Sequence, residues 1–285
     1  AQVSTCLKAG QLGQASLRCS TCNFCWRCHE RAASTGEGME TSSEAAATST
    51  QVFLDHSFAN LEEALEAGTW EVDGDDVELH VCAGGEGEGP AGAVLSAKGR
   101  SNARAELCHW LNGSDGAQVQ QLLIKFIVEE LDAASAGTFT VGLAFDEDFE
   151  EEAILAVTVR HSRIEPTEGE IDAGGCEGEA FAMSEKMEVL LNGKKLAKDL
   201  KAMPLRIELN CRLRWEEPSR SVGVHYRILH GGASATEKVV AEGTGEANFY
   251  TPRKECTVAK ALSLRAAGTT SVRLLTARCA GIEAT

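Results

Sequence analysis

The stretch Pro204–Leu229, PLRIELNCRLRWEEPSRSVGVHYRIL, decides the fold class. Leu205, Ile207, Leu209, Cys211, Leu213 and Trp215 take every second position, with Arg206, Glu208, Asn210, Arg212 and Arg214 between them. A period of two sends alternate side chains to opposite faces of an extended chain, so one face is apolar and the other charged. After the polar loop Glu216-Glu217-Pro218-Ser219-Arg220, the alternation resumes at Val222, Val224, Tyr226 and Ile228. Two such runs joined by a short loop predict an antiparallel hairpin, buried on one face and wet on the other.

Outward from this hairpin the same design recurs. Val77/Leu79/Val81, Phe139/Val141/Leu143/Phe145 and Ala153/Leu155/Val157/Val159 alternate cleanly. Further strands are expected near Gln51–Leu54, Thr69–Val72, Ala93–Ala97, Ala103–Leu111, Val119–Glu129, Met187–Leu191, Glu237–Glu242, Cys256–Arg265 and Ser271–Ala277. Turn signals separate them: Asp73-Gly74, the Gly84–Gly92 loop, Asn112-Gly113, Asn192-Gly193 and Gly231-Gly232. Asn60–Ala67 and Lys194–Ala202 carry a helical spacing. Many short strands at this spacing predict an all-β body, an antiparallel two-sheet sandwich or jelly roll, over 51–285. A small cysteine-rich head occupies 1–32. A flexible linker follows at 33–50, where Met39 is the one sizeable apolar group among Ala, Ser, Thr, Gly and Glu.

Three segments carry a resemblance. VFLDHSFANLEEALEAGTWEVDGDDVELHV, from Val52, looks like the first strands of concanavalin/laminin-G-like jelly rolls and of reelin-type repeats. LNCRLRWEEPSRSVGVHYRI resembles the paired back strands of those folds, and TSVRLLTARC their closing strand. The similarity spans most of 51–280. It implies an extracellular binding or adhesion module rather than an enzyme.

Charge narrows the partners. The net charge of −16 argues against nucleic acid, which requires clustered Lys and Arg against phosphate. No apolar run reaches the length of a membrane-spanning helix; Leu122–Val128 is short and contains Lys125. An aromatic content of 5% is low for a groove that stacks sugar rings, which weights assembly over lectin activity.

Of eleven cysteines, five lie in the head: Cys6, Cys19, Cys22, Cys25 and Cys28. CSTCNFCWRC places four of them at strict intervals of three. Three chemistries use such a run: a thiolate site for zinc, a cluster resembling those of bacterial ferredoxins, and, through Cys25-Trp26-Arg27-Cys28-His29, haem attachment. In an oxidising compartment the run reads as disulfides instead, within the head or to another chain. The body holds six cysteines, enough for three internal bridges, so a head of five leaves one thiol over for a partner or for self-assembly.

Carboxylates supply the remaining candidates. Glu170-Ile171-Asp172, within GEIDAGG, resembles part of the catalytic strand of laminarinase-type glycoside hydrolases. The third carboxylate of that pattern is absent, since Gly174 and Gly175 follow. Asp73, Asp75 and Asp76 in one turn, and Asp146 and Asp148 after a strand, are candidate calcium ligands, because hard cations take several oxygens from a loop. Asn112-Gly113-Ser114 is a glycosylation sequon at an expected hairpin tip. The expectation is a non-enzymatic structural or adhesion subunit of an extracellular or lumenal assembly, with glycans as a further ligand and no cofactor demanded. Two alternatives stand beside it: a hydrolase-like or carbohydrate-binding protein using Glu170 and Asp172, and a metal- or redox-cofactor subunit using Cys19, Cys22, Cys25 and Cys28.

Overall fold

A computed structural model describes residues 50–283, apart from 75–76, 86–88, 99–102, 113–115, 146–152, 164–182, 202, 217–219, 231–237 and 250–257. The head at 1–32 and nearly all of the linker at 33–50 therefore lie outside the described residues.

The described chain is almost entirely strand. In order the strands are β1 (Gln51–Ser57), β2 (Glu71–Asp73), β3 (Val77–Cys82), β4 (Gly92–Ala97), β5 (Arg104–Trp110), β6 (Ala117–Leu131), β7 (Thr138–Ala144) and β8 (Ala153–Arg163). They continue as β9 (Met183–Leu191), β10 (Lys194–Leu200), β11 (Leu205–Arg214), β12 (Ser221–His230), β13 (Lys238–Asn248), β14 (Ala261–Ala267) and β15 (Thr270–Glu283). A 3-10 turn, Phe58–Asn60, runs into the short helix α1, Leu61–Glu66, which meets the helical expectation there.

Two antiparallel sheets form the sandwich. The larger follows the order β13-β12-β11-β6-β15-β4-β3, with β1 also paired to β15. The smaller follows β10-β9-β8-β7-β14-β5-β2. The long strands β6 and β15 are neighbours in the middle of the larger sheet. β1 lies along the second half of β15 and β4 along its first half, so one edge of β15 serves two strands.

The core is the set of inward positions that alternation selected. Leu205, Ile207, Leu209, Cys211 and Leu213 of β11 are buried, as are Leu122, Ile124, Phe126 and Val128 of β6. Facing them from the smaller sheet are Phe139, Val141 and Leu143 of β7; the Phe126 and Phe139 rings meet at 4.8 Å. The Trp215 indole donates to the Val119 carbonyl at 2.7 Å, which satisfies its one polar group while the ring packs edge-on against Phe249.

One helical expectation is corrected. Lys194–Leu200 is strand β10, paired with β9. Asn192 and Gly193 both adopt left-handed backbone, φ 46° and 79°, the geometry of a tight hairpin turn. That turn delivers the chain alongside β9, where Ala197 and Leu200 bury; tertiary pairing overrides the good helix propensity of KKLAKDLKA.

The far edge of the larger sheet is tied to the smaller sheet there. The Tyr226 hydroxyl of β12 donates to the Leu196 carbonyl of β10 at 2.9 Å. Gly243 and Gly245 of β13 point inward at this corner: a Cβ on Gly243 would meet the Tyr226 hydroxyl, and one on Gly245 would overlap the Leu196 side chain. The glycines in β13 thus mark a close approach of another element.

The cysteines depart from the expectation of bridges within the body. Cys82, Cys108, Cys211 and Cys279 are free thiols; Cys176 and Cys256 lie outside the described residues. Cys211 and Cys279 are both opposite Leu122, one on each side of β6. Two strand spacings, roughly 10 Å, separate them, beyond the reach of a disulfide. Burial pushes the Cys211 thiol up to about 12, and burial then Glu106 and Glu71 push Cys108 to about 12 as well, so neither is a poised nucleophile.

Candidate functional site

The outward face of β11, β12 and β13 carries a groove of about 580 Å³. Its lining is Asn210, Arg212 and Arg214 from β11, Gly223 and His225 from β12, and Thr244 and Glu246 from β13, with the backbone at Val224 and Gly245. Register explains the convergence. Arg212 is opposite Gly223, which is opposite Glu246; Asn210 is opposite His225, which is opposite Thr244. In an antiparallel sheet such cross-strand partners share a face. The groove is therefore two rows of side chains three strands wide, with Arg214 of the next row at its end.

Gly223 makes the depression. A Cβ there would find nothing within 4 Å, so its place on the face is open space. Arg212 and Glu246 stand on either side, roughly 10 Å apart at two strand spacings, with no side chain between them.

The polar groups in the groove are only partly committed. The Asn210 carbonyl oxygen accepts from the Gln121 amide of β6 at 3.2 Å, which leaves the Asn210 amide hydrogens available. His225 lies 3.6 Å from Glu242, which also meets Arg227 at 4.0 Å. Lys194 donates to the Glu246 backbone carbonyl at 3.0 Å, leaving the carboxylate to face the groove. Arg212 and Arg214 are exposed and make no ion pair among the described residues. Their neighbours on the same strand behave differently: Arg206 bonds Glu208 at 2.8 Å, and Lys125 lies 3.6 Å from it. The charged face of β11 thus divides into a neutralised half and an unneutralised half, and the groove is in the second.

Two buried carboxylates stand on the outward face of the smaller sheet. Burial works against ionised Glu106, but the Ser263 hydroxyl, Arg104 and Arg265 hold its pKa below the usual carboxylate range. Glu188 is ion-paired with Arg160 at 2.9 Å and Lys195 at 3.3 Å. Strand order puts four spacings, roughly 19 Å, between the two acids, against about 5–9.5 Å in a glycosidase pair. They are structural charges, each held by its own cations.

Most residues singled out from the sequence fall elsewhere. Glu170, Asp172, Asp75, Asp76, Asp146, Asp148 and the head cysteines Cys6, Cys19, Cys22, Cys25 and Cys28 lie outside the described residues. Asp73 is exposed at the end of β2, and no group of three metal-ligating side chains gathers among the described residues. Asn112 is exposed with a left-handed φ of 54° just after β5, and its amide reaches the Gly116 carbonyl at 3.4 Å. In the sequence the groove residues show only as the wet, charged face of the β11–β12 hairpin and its neighbour. The signals that mark them are a mid-strand Gly223 and two arginines, Arg212 and Arg214, with no acid two residues away on β11.

No family model matches the sequence, and no curated protein matches it. Solved structures do show a likeness of fold. A carbohydrate esterase of Shiga toxin-encoding bacteriophage phi24B superposes with a TM-score of 0.44 at 13% identity, covering 83% of this chain and 100% of that one. The exoplasmic/lumenal domain of VIP36, in a form bound to Ca2+ and Man3GlcNAc, gives 0.40 at 11% identity, covering 77% and 85%. The catalytic domain of a GH131 β-glucanase from Podospora anserina gives 0.36 at 8%, covering 68% and 73%. The fold assignment rests on the strand order and register described above, and the site on its own geometry.

Proposed function

We propose that the sandwich is a saccharide-binding module, the ligand-holding part of a non-enzymatic structural or adhesion subunit in an extracellular or lumenal assembly. One observation carries the reading: the groove on β11–β13, where a side-chain-free floor at Gly223 is ringed by Asn210, Arg212, Arg214, His225, Thr244 and Glu246. Its volume lies within the usual range for small-ligand sites. Amide, guanidinium, imidazole, hydroxyl and carboxylate groups together offer both donors and acceptors, the mixture that vicinal sugar hydroxyls require. An exposed Asn112 in a sequon accords with a secretory setting. The alternatives through Glu170/Asp172 and through the four-cysteine run rest on residues outside the described ones.

Filling the floor tests this. Gly223 does not carry a left-handed φ and has free space over its Cβ position, so Gly223→Phe is compatible with the strand and raises its β-propensity. The full chain should be retained on at least one immobilised polysaccharide from a panel of glucan, mannan and galacturonan. Gly223→Phe should lose that retention with Tm unchanged. A parent retained by none of them, or a variant that binds as well as the parent, overturns the proposal.

A further inference from the structure

We infer that the ligand of this groove is an acidic saccharide, whose carboxylate or sulfate is held by Arg212 and Arg214. The inference rests on the saccharide reading of the same groove and specifies its chemistry.

Two observations carry it. First, no Phe, Tyr or Trp is among the lining residues. A neutral sugar ring gains much of its affinity from stacking on an aromatic face, and this groove has none to offer. Its affinity must come from hydrogen bonds, and the strong ones are charge-assisted. Second, the charge of the groove runs against that of the protein. Arg212 and Arg214 face a single lining carboxylate, Glu246, on a chain of net charge −16. On the same strand face, Arg206 and Lys125 are neutralised by Glu208, and on the adjoining strands Arg227 and His225 share Glu242. Arg212 and Arg214 have no acid partner among the described residues, and they are next to the open floor.

Geometry assigns the roles. Successive outward residues on a strand are roughly 7 Å apart, so two guanidinium forks can grip one anionic group from two sides, or two groups on neighbouring sugar units. Asn210 and Thr244 in the next row then face the uncharged hydroxyls. Glu246, across the floor, accepts from a hydroxyl and repels a second anion set at the wrong end, which gives the site a polarity.

The test uses the full chain and ligand pairs that share a backbone and differ in charge: polygalacturonate against its methyl ester, and dextran sulfate against dextran. Affinities are measured by titration calorimetry at two salt concentrations. Expected is at least about tenfold tighter binding of one charged member than of its neutral partner, weakening with salt. The galacturonate pair assigns carboxylate and the dextran pair sulfate; either supports the inference. Arg212→Gln with Arg214→Gln should lose about tenfold or more for the charged ligand, and a larger factor for it than for its neutral partner. Arg212→Lys, which keeps the charge and loses the fork, should fall between. Equal affinity for charged and neutral members, or no change in the double variant, overturns the acidic ligand while the saccharide reading stands. Equal binding of polyglutamate assigns the site to acidic peptides and overturns both, as does a folded protein that binds none of the four polysaccharides.

Discussion

His56 and His109 occupy a tight aromatic cluster beside the first strand. The His56 ring stands edge-on to Phe58 at 5.0 Å, and His109 tilts against Trp70 at 5.1 Å. His109 Nδ1 donates to the Thr69 carbonyl at 2.6 Å, whereas His56 Nε2 is buried without a partner among the described residues. Burial, then the neighbouring His109, hold His56 below its ordinary pKa of 6.5; burial also lowers His109, outweighing its backbone contacts to Thr69 and Phe53. The sign follows. Both rings bind protons more readily in the unfolded chain, so their contribution to stability is full above about pH 6.5 and is lost as pH falls through the depressed folded values. Tm should therefore decline between pH 7.5 and 5, and His56→Phe, which keeps an aromatic ring there, should flatten the decline. The carboxylates held below their usual range, Glu106, Asp132 and Asp199, act in the same direction but from starting values of 4.5 and 3.8, so their effect lies at lower pH. An identical slope in the variant would remove the histidines from the explanation.

Strands β12 and β13 show how one residue type serves two purposes. Gly223 faces outward over empty space, whereas Gly245 faces inward against Leu196 of β10. A side chain at 245 must displace Leu196, and with it the corner where Tyr226 bonds the Leu196 carbonyl. Gly245→Val should cost about 1–3 kcal/mol, the usual range for overpacking. Gly223→Val should be neutral or stabilising, since a β-branched residue suits an open strand face. Urea denaturation of the two variants measures the difference, and equal costs would mean that the two faces of the sheet had been interchanged.

Among the described residues the body thiols Cys82, Cys108, Cys211 and Cys279 are free; Cys211 and Cys279 are sealed in the core, and Cys108 is raised to about 12. The five head thiols cannot all pair among themselves, so a link to another chain through one of them is the expectation. In an oxidising buffer the full chain should run as a disulfide-linked dimer on a non-reducing gel and as a monomer after reduction. Peptide mapping should place the link at Cys6, Cys19, Cys22, Cys25 or Cys28. A monomer under both conditions, or four head thiols protected by bound metal, would defeat this.

How much was legible depends on how local each feature is. Alternation within one strand is a local pattern, and Leu205 through Trp215 declared their buried face without reference to any other segment; so did Phe139 through Phe145. Stop signals such as Asn192-Gly193 are equally local, because left-handed backbone is open to few residue types. The fold class followed from these alone. The order of strands did not. Asn210 meets Gln121 across 89 positions of sequence, and Arg212, Gly223 and Glu246 form one row because β11, β12 and β13 pair in one register. Lys194–Leu200 has the composition of a helix and became a strand because the turn before it and the partner beside it outweigh about 1 kcal/mol or less per residue of intrinsic preference. The sequence by itself determined which residues face inward, since burial of apolar side chains on a pleated chain needs only a period of two. Which outward residues meet to form a groove was decided by tertiary structure, since strand pairing joins positions that no local pattern connects.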